Sequence, residues 1–151
     1  MRKLVLATAL FTLSASLFAA SPFAGTWKLD PNETKYTTGT PPKDVTLTIE
    51  ENGNELQVNA TGTYADGSPL SVKYTVPERG GAANVQEGPF DAMTAKRISA
   101  RERVNTYTKN GKEIATRRFV VSKDGKELRE TVKGTDPKGN PMEGVDRFDR
   151  Q

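Results

Sequence analysis

The sequence predicts an all-β fold, an antiparallel up-and-down β-barrel of about 8 to 10 strands, and three observations lead there. First, tight-turn glycines recur: "ENGN", "ADGS", "RGGA", "KNGK", "KDGK" and "PKGN" place Gly53, Gly67, Gly81, Gly111, Gly125 and Gly139 at intervals of 14, 14, 30, 14 and 14 residues. Asn-Gly and Asp-Gly pairs supply the positive φ angles of hairpin turns, so each marks a reversal between antiparallel strands. Second, apolar and polar residues alternate between the turns, the period of a half-buried strand. Third, no segment of the expected mature chain carries a helical period. Sequential hairpins leave exposed edges, which closure into a barrel removes. A two-sheet sandwich is the other solution, but its crossovers need longer connections than those after residue 50.

Residues 1–20 read as a secretory signal peptide: Arg2 and Lys3, an apolar run from Leu4 to Leu13, then small residues ending at Ala19 and Ala20. The apolar run is too short to span a bilayer. Cutting after Ala20 puts Phe18 where a small residue is usual, so the pattern fixes the leader better than the cut. Residues 21–151 are expected to form a single domain, periplasmic or secreted. Two of the 22 Lys and Arg leave with the leader, so 20 remain against 19 Asp and Glu. That near balance gives no reason to expect nucleic acid. Fourteen of the leader's 20 residues are hydrophobic, so the mature chain is poorer still than the whole-chain 34%. Its core is therefore thin, or hollow and partly polar. There is no Cys, so neither a disulfide nor a cysteine-linked lipid contributes.

The mature chain opens with "SPFAGTWKLD", which holds the only Trp, Trp27. The following "PNETKYTTGTPPK", with three prolines, reads as an extended loop. "DVTLTIEE" then sets Val45, Leu47 and Ile49 on one face, and "NELQVNA" repeats the pattern with Leu56, Val58 and Ala60. "PLSVKYTV" continues it with Leu70, Val72, Tyr74 and Val76. Beyond Gly81, Met93 and Ala95 share a face with Arg97; Leu128 and Val132 share one with Glu130; Met142 and Phe148 share one with Asp146. "EIATRRFVV" is ambiguous, because Ile114 and Val120 select Arg118 whereas Ala115, Phe119 and Val121 select Arg117. One arginine of the pair points inward, and Arg118 is placed in the candidate site.

"FAGTWKLD" is similar to the Gly-x-Trp first strand of the lipocalin and fatty-acid-binding-protein group of small antiparallel barrels. Taken with "SKDGKELRETVKGTDPKGNP" and the ending "VDRFDRQ", the mature chain resembles small exported bacterial lipocalin-like proteins of uncharacterised function. The resemblance implies a ligand cavity and not its occupant. In the fatty-acid-binding branch an Arg-x-Tyr triplet on the last strand holds a carboxylate, but here the place reads Asp146, Arg147, Phe148. That branch's helical lid is also missing from the sequence.

These readings give a candidate ligand site of Val45, Leu47, Val58, Val72, Tyr74 and Met93 along a tail, with Arg97, Arg118, Glu130 and Asp146 as polar groups. The same charges could instead pair with each other and fill the barrel, leaving a cavity-poor module that acts through its loops on a protein partner. Closure of the first strand against the last is assigned to Gly25, Trp27, Arg147 and Arg150, a cation from the last strand meeting the Trp ring.

Chemistry has few candidates. Absence of His and Cys removes the commonest general base, the thiol nucleophile and the best zinc ligands, so the chain is expected not to be an enzyme and to need no cofactor or metal. "DPNET" and "TDPKGN" have oxygens suited to calcium but are more simply turns. Arg101, Arg103, Lys109 and Lys112 are interrupted by Glu102 and Glu113 and read as a solvated strand face. A small outer-membrane barrel is a further reading; nine aromatic residues after the leader, not gathered into girdles, argue against it. The expectation is a soluble monomer, not inserted in a membrane, whose partner is a small hydrophobic or amphipathic molecule.

Overall fold

A computed structural model describes residues 19–151; residues 1–18 of the expected leader lie outside the described residues. The described chain forms twelve strands: β1 (Gly25–Leu29), β2 (Lys35–Thr38), β3 (Asp44–Asn52), β4 (Glu55–Thr63), β5 (Pro69–Pro77), β6 (Gly80–Ala82), β7 (Asn84–Glu87), β8 (Ala92–Ser99), β9 (Glu102–Lys109), β10 (Lys112–Val121), β11 (Glu127–Thr135) and β12 (Pro141–Arg150). All neighbouring pairs are antiparallel, in the order β6-β8-β9-β10-β11-β12-β1-β3-β4-β5-β7, with β2 added on β12. The all-β meander is as the sequence predicts.

The strand count is higher than the expected 8 to 10, for two physical reasons. The stretch 80–87 is one strand spacing split in two: Gly80–Ala82 pairs with β8, and Asn84–Glu87 pairs with β5. That switch of partner carries the sheet across from β5 to β8 and closes the barrel. The second addition is β2, which lies in the proline-containing segment read as a loop. It borrows the free edge of β12 through Tyr36↔Gly144 and Lys35↔Val145. No helix occurs among the described residues, so none of them forms a helical lid over the barrel.

Turn chemistry sets the register. Between β9 and β10 the connection is Asn110-Gly111, with φ of 51° and 73°, the left-handed pair of a two-residue hairpin. It fixes Lys109 opposite Lys112, and a bulge between Glu113 and Ala115 then resets which residues of β10 face inward.

One end of the barrel is packed solid. Trp27, Leu56, Val76 and Leu128 have no measurable exposure, and Phe148 has 2%. Burying each large side chain of this kind contributes roughly 1.5–3 kcal/mol. Arg150 locks this end. Its guanidinium lies 4.0 Å from the Trp27 ring and donates to the carbonyls of Ala24 (2.5 Å), Pro22 (2.7 Å) and Gly125 (2.6 Å). Gly25 is what allows it: with φ of 135°, it sits where a Cβ would collide with the arginine. Trp27 Nε1 donates to the Phe23 carbonyl at 2.9 Å, so the ring is satisfied on both its polar and its π surfaces.

Arg147, the other arginine assigned to closure, is elsewhere. Asp146, Phe148 and Arg150 share one face of β12, so strand alternation turns Arg147 outward, where it pairs with Glu127 at 2.6 Å and Asp149 at 3.2 Å. Outward positions on the other strands are likewise polar, Glu50, Lys73, Arg129 and Lys133 among them. Most of the large apolar side chains are buried inside, with Ile98, 49% exposed, on the outer surface.

Candidate ligand site

The other end of the barrel is hollow. A cavity of about 430 Å³ opens between the β2–β3 link and the β4–β5, β7–β8 and β11–β12 turns. Its two walls differ. Val45 and Leu47 of β3, Val58 and Ala60 of β4, and Leu70 and Val72 of β5 make an apolar wall. They reach it because each strand alternates and the β3–β4 and β4–β5 registers keep the inward sets level, Leu47↔Ala60↔Val72.

The facing wall is polar. Arg117 of β10, Glu130 of β11 and Asp146 of β12 come together at mid-depth, Glu130 directly opposite Asp146 in register. Arg117 Nη1 donates to Glu130 Oε1, and its guanidinium also stands 5.7 Å from the Tyr107 ring. Tyr36 of β2 donates its hydroxyl to Asp146 Oδ2 at 2.9 Å. Gly144 makes room for that contact, since a Cβ there would run into the Tyr36 ring. The short strand β2 is therefore what brings a phenol to the buried carboxyl.

Asp146 is 2% exposed, and its Oδ1 has no hydrogen-bond partner. Burial, and then the charge of Glu130, push its carboxyl up to about 7, while Arg117 and the Tyr36 hydrogen bond pull the other way. The folded state thus keeps a proton that the unfolded chain releases near pH 4. The resulting stabilisation is complete below about pH 4 and is lost as pH rises through about 7. Asp146→Asn, which keeps the neutral shape, should gain on the wild type across that window by on the order of 3 kcal/mol. Urea unfolding of both proteins at pH 4, 5.5 and 7 measures it; a gap independent of pH would show that Asp146 ionises normally in the fold.

A second polar cluster lies on β9. Asn105 is 1% exposed, and its Nδ2 stands 3.4 Å from both the Tyr74 and the Tyr107 hydroxyls. Phe90, from the β7–β8 connection, packs edge-on to both tyrosine rings, at 6.4 Å and 4.7 Å. It covers the wall where β5 and β8 are not directly paired.

The sequence-derived candidates divide. Val45, Leu47, Val58, Val72, Tyr74, Glu130 and Asp146 line the cavity. Met93 is buried but does not line it. Arg118 faces outward to Glu102 at 2.8 Å; Arg117 holds the inward position, because Ala115, Phe119 and Val121 are the buried set of β10. Arg97 shares the parity of Met93 and Ala95 and pairs with Arg103, but it is the last residue before a register shift, in the exposed end of β8. There it pairs with Glu78 at 3.0 Å. Arg103, read as part of a solvated face, is 5% exposed, stacked 5.2 Å from the Phe23 ring and bonded to the Glu78 carbonyl. Tyr36, Tyr107 and Arg117 complete the polar wall and were not in the candidate set; Asn105 is buried behind it, against the Tyr74 and Tyr107 hydroxyls, and does not line the cavity. Among the described residues no cluster of acidic side chains is placed to hold a metal ion.

The fold defines the class: a small, lipocalin-like antiparallel barrel, closed and packed at one end, with a cavity opening at the other. The sequence matches no protein-family model and no curated protein. Among solved structures it is similar to zebrafish ileal bile acid-binding protein complexed with cholic acid, at 14% identity over 87% of this chain and 100% of that one, with a TM-score of 0.49. Lobster apocrustacyanin A1 gives 14% identity over 86% of this chain, with a TM-score of 0.43, and the chain spans 61% of that protein. A redesigned β-barrel bound to DFHBI gives 14% identity, 85% and 95% coverage, and a TM-score of 0.43. The barrel assignment rests on the strand order and register described above.

Proposed function

We propose that this protein is an exported, non-catalytic carrier that holds one small, largely apolar molecule in the barrel cavity. The observation that carries this reading is the cavity itself: about 430 Å³, with an apolar wall facing a polar one. Such a volume is in the range of small-molecule sites, and few convergent polar groups in an apolar cleft are their usual lining. The competing reading, a barrel filled by its own charges and working through its loops, is disfavoured by that open volume. Two of the arginines it required lie outside the barrel.

The polar end of the ligand is uncharged in this reading. Arg117 is balanced by Glu130, and Asp146 is held near neutrality, so a carboxylate would enter without a free counter-charge. The Arg117 side chain remains 31% exposed, and its unused N–H groups suit a hydroxyl or carbonyl oxygen. A carboxyl near neutrality is also what a general acid needs. Asp146, however, offers the cavity little: Oδ2 is taken by Tyr36 and Oδ1 is covered.

Calorimetric titration with decanol tests this. Ala60→Trp, which places an indole in the cavity, should weaken binding at least tenfold, whereas Ile98→Trp on the outer surface should not change it. At pH 8 decanol should bind more tightly than decanoate. Equal affinity in wild type and Ala60→Trp would remove the cavity as the site, and tighter decanoate binding would reject the uncharged end group.

A further inference from the structure

The segment ahead of β1 is fastened to the barrel from Ser21 onward. Ser21 is 6% exposed, and its backbone nitrogen stands 2.7 Å from Glu51 Oε2 at the end of β3. A turn follows, Ala24 N to Ser21 O at 3.0 Å. Arg150 then holds the Pro22 and Ala24 carbonyls, Trp27 holds that of Phe23, and the Phe23 ring is 3% exposed beneath Arg103. Ala19 and Ala20 are exposed. Among the described residues the contacts therefore begin at Ser21, and the first of them joins a main-chain nitrogen to a carboxylate.

A peptide N–H gives the Glu51 carboxylate one hydrogen bond, assisted by the acceptor's charge alone. An α-ammonium at the same position would bring a full opposite charge and two further N–H donors. We propose that Ser21 is the mature N-terminus and that its ammonium group docks on Glu51, which makes Ala20–Ser21 the processing site and Glu51 the acceptor of the new terminus. In that step a leader-removing peptidase uses water to break the Ala20–Ser21 peptide C–N bond. The water oxygen stays on the Ala20 carboxylate, and the Ser21 nitrogen takes up protons to become the ammonium. The leader's sequence alone leaves the cut open, because Phe18 stands where a small residue is usual; the contacts of Ser21 select it. The inference is independent of what the cavity holds.

The experiment uses protein expressed with its own leader and recovered from the exported fraction of a bacterial host. Intact mass and N-terminal sequencing should give Ser21 as the first residue. The α-amino pKa, followed by NMR of the terminal amine after ¹³C reductive methylation, should be about one unit higher in the wild type than in Glu51→Gln. A chain made to begin at Ala20 should show no such dependence on Glu51. A different first residue would overturn the proposal, and so would a terminal pKa that Glu51→Gln leaves unmoved. The exposed position of Glu51 makes the variant's folding a minor concern, and circular dichroism verifies it.

Discussion

Trp27→Ala should lower folding free energy by about 3–5 kcal/mol and leave the affinity of the folded protein for its cavity ligand unchanged. The loss has three sources. The ring is wholly buried at the packed end, so its removal leaves a large void. The Phe23 carbonyl loses its donor, and Arg150 loses the π face against which its guanidinium rests. None of these groups lines the cavity, which is why affinity is spared. Denaturant unfolding combined with ligand titration separates the two quantities. A Trp27→Ala protein of unchanged stability that no longer binds would make the ring a ligand contact instead of a closure element.

Arg117→Met should cost a similar amount, about 3–5 kcal/mol near pH 7, because it strips the counter-charge from a buried carboxylate. Glu130 would stand beside Asp146 with no cation between the two and the cavity. The variant's deficit should shrink in acid. Protonation relieves the cost of burying an unpaired carboxylate, so the penalty is absent below about pH 4 and grows as pH rises toward 7. Arg117→Met combined with Glu130→Gln should recover much of the loss at pH 7. Denaturant midpoints of the two variants at pH 4 and pH 7 give the comparison. A deficit as large at pH 4 as at pH 7, or no recovery in the double variant, would mean that Arg117 acts by packing and not by charge.

Much of the fold was legible because its determinants are local. Glycine-bearing turns and a period of two are properties of short windows, and they located the meander and seven of the ten candidate wall residues. The splitting of 80–87 was not legible: "RGGAANVQE" carries no signal for which half pairs with which neighbour, since partner choice is decided across the sheet. Arg117 against Arg118 failed for a related reason. The bulge between Glu113 and Ala115 shifts the inward set of β10 by one, and both parities offered apolar residues. On β9 the inward residues are Arg103, Asn105 and Tyr107, so an alternation test keyed to hydrophobicity saw only a polar strand. Tyr36 was hidden further, in a segment whose strand character comes from docking on β12. The polar wall is thus a product of tertiary pairing, whereas the apolar wall is written along the chain.

The central claim is that the hollow end of the barrel is a ligand site. Methyl NMR during titration with uncharged medium-chain alcohols and ketones tests it most directly. Saturable one-to-one shifts at Val45, Leu47, Val58 and Val72, with Leu56, Val76 and Leu128 at the packed end unmoved, are the predicted result. No saturable shift at those four residues, or shifts confined to surface positions such as Ile98, would contradict it.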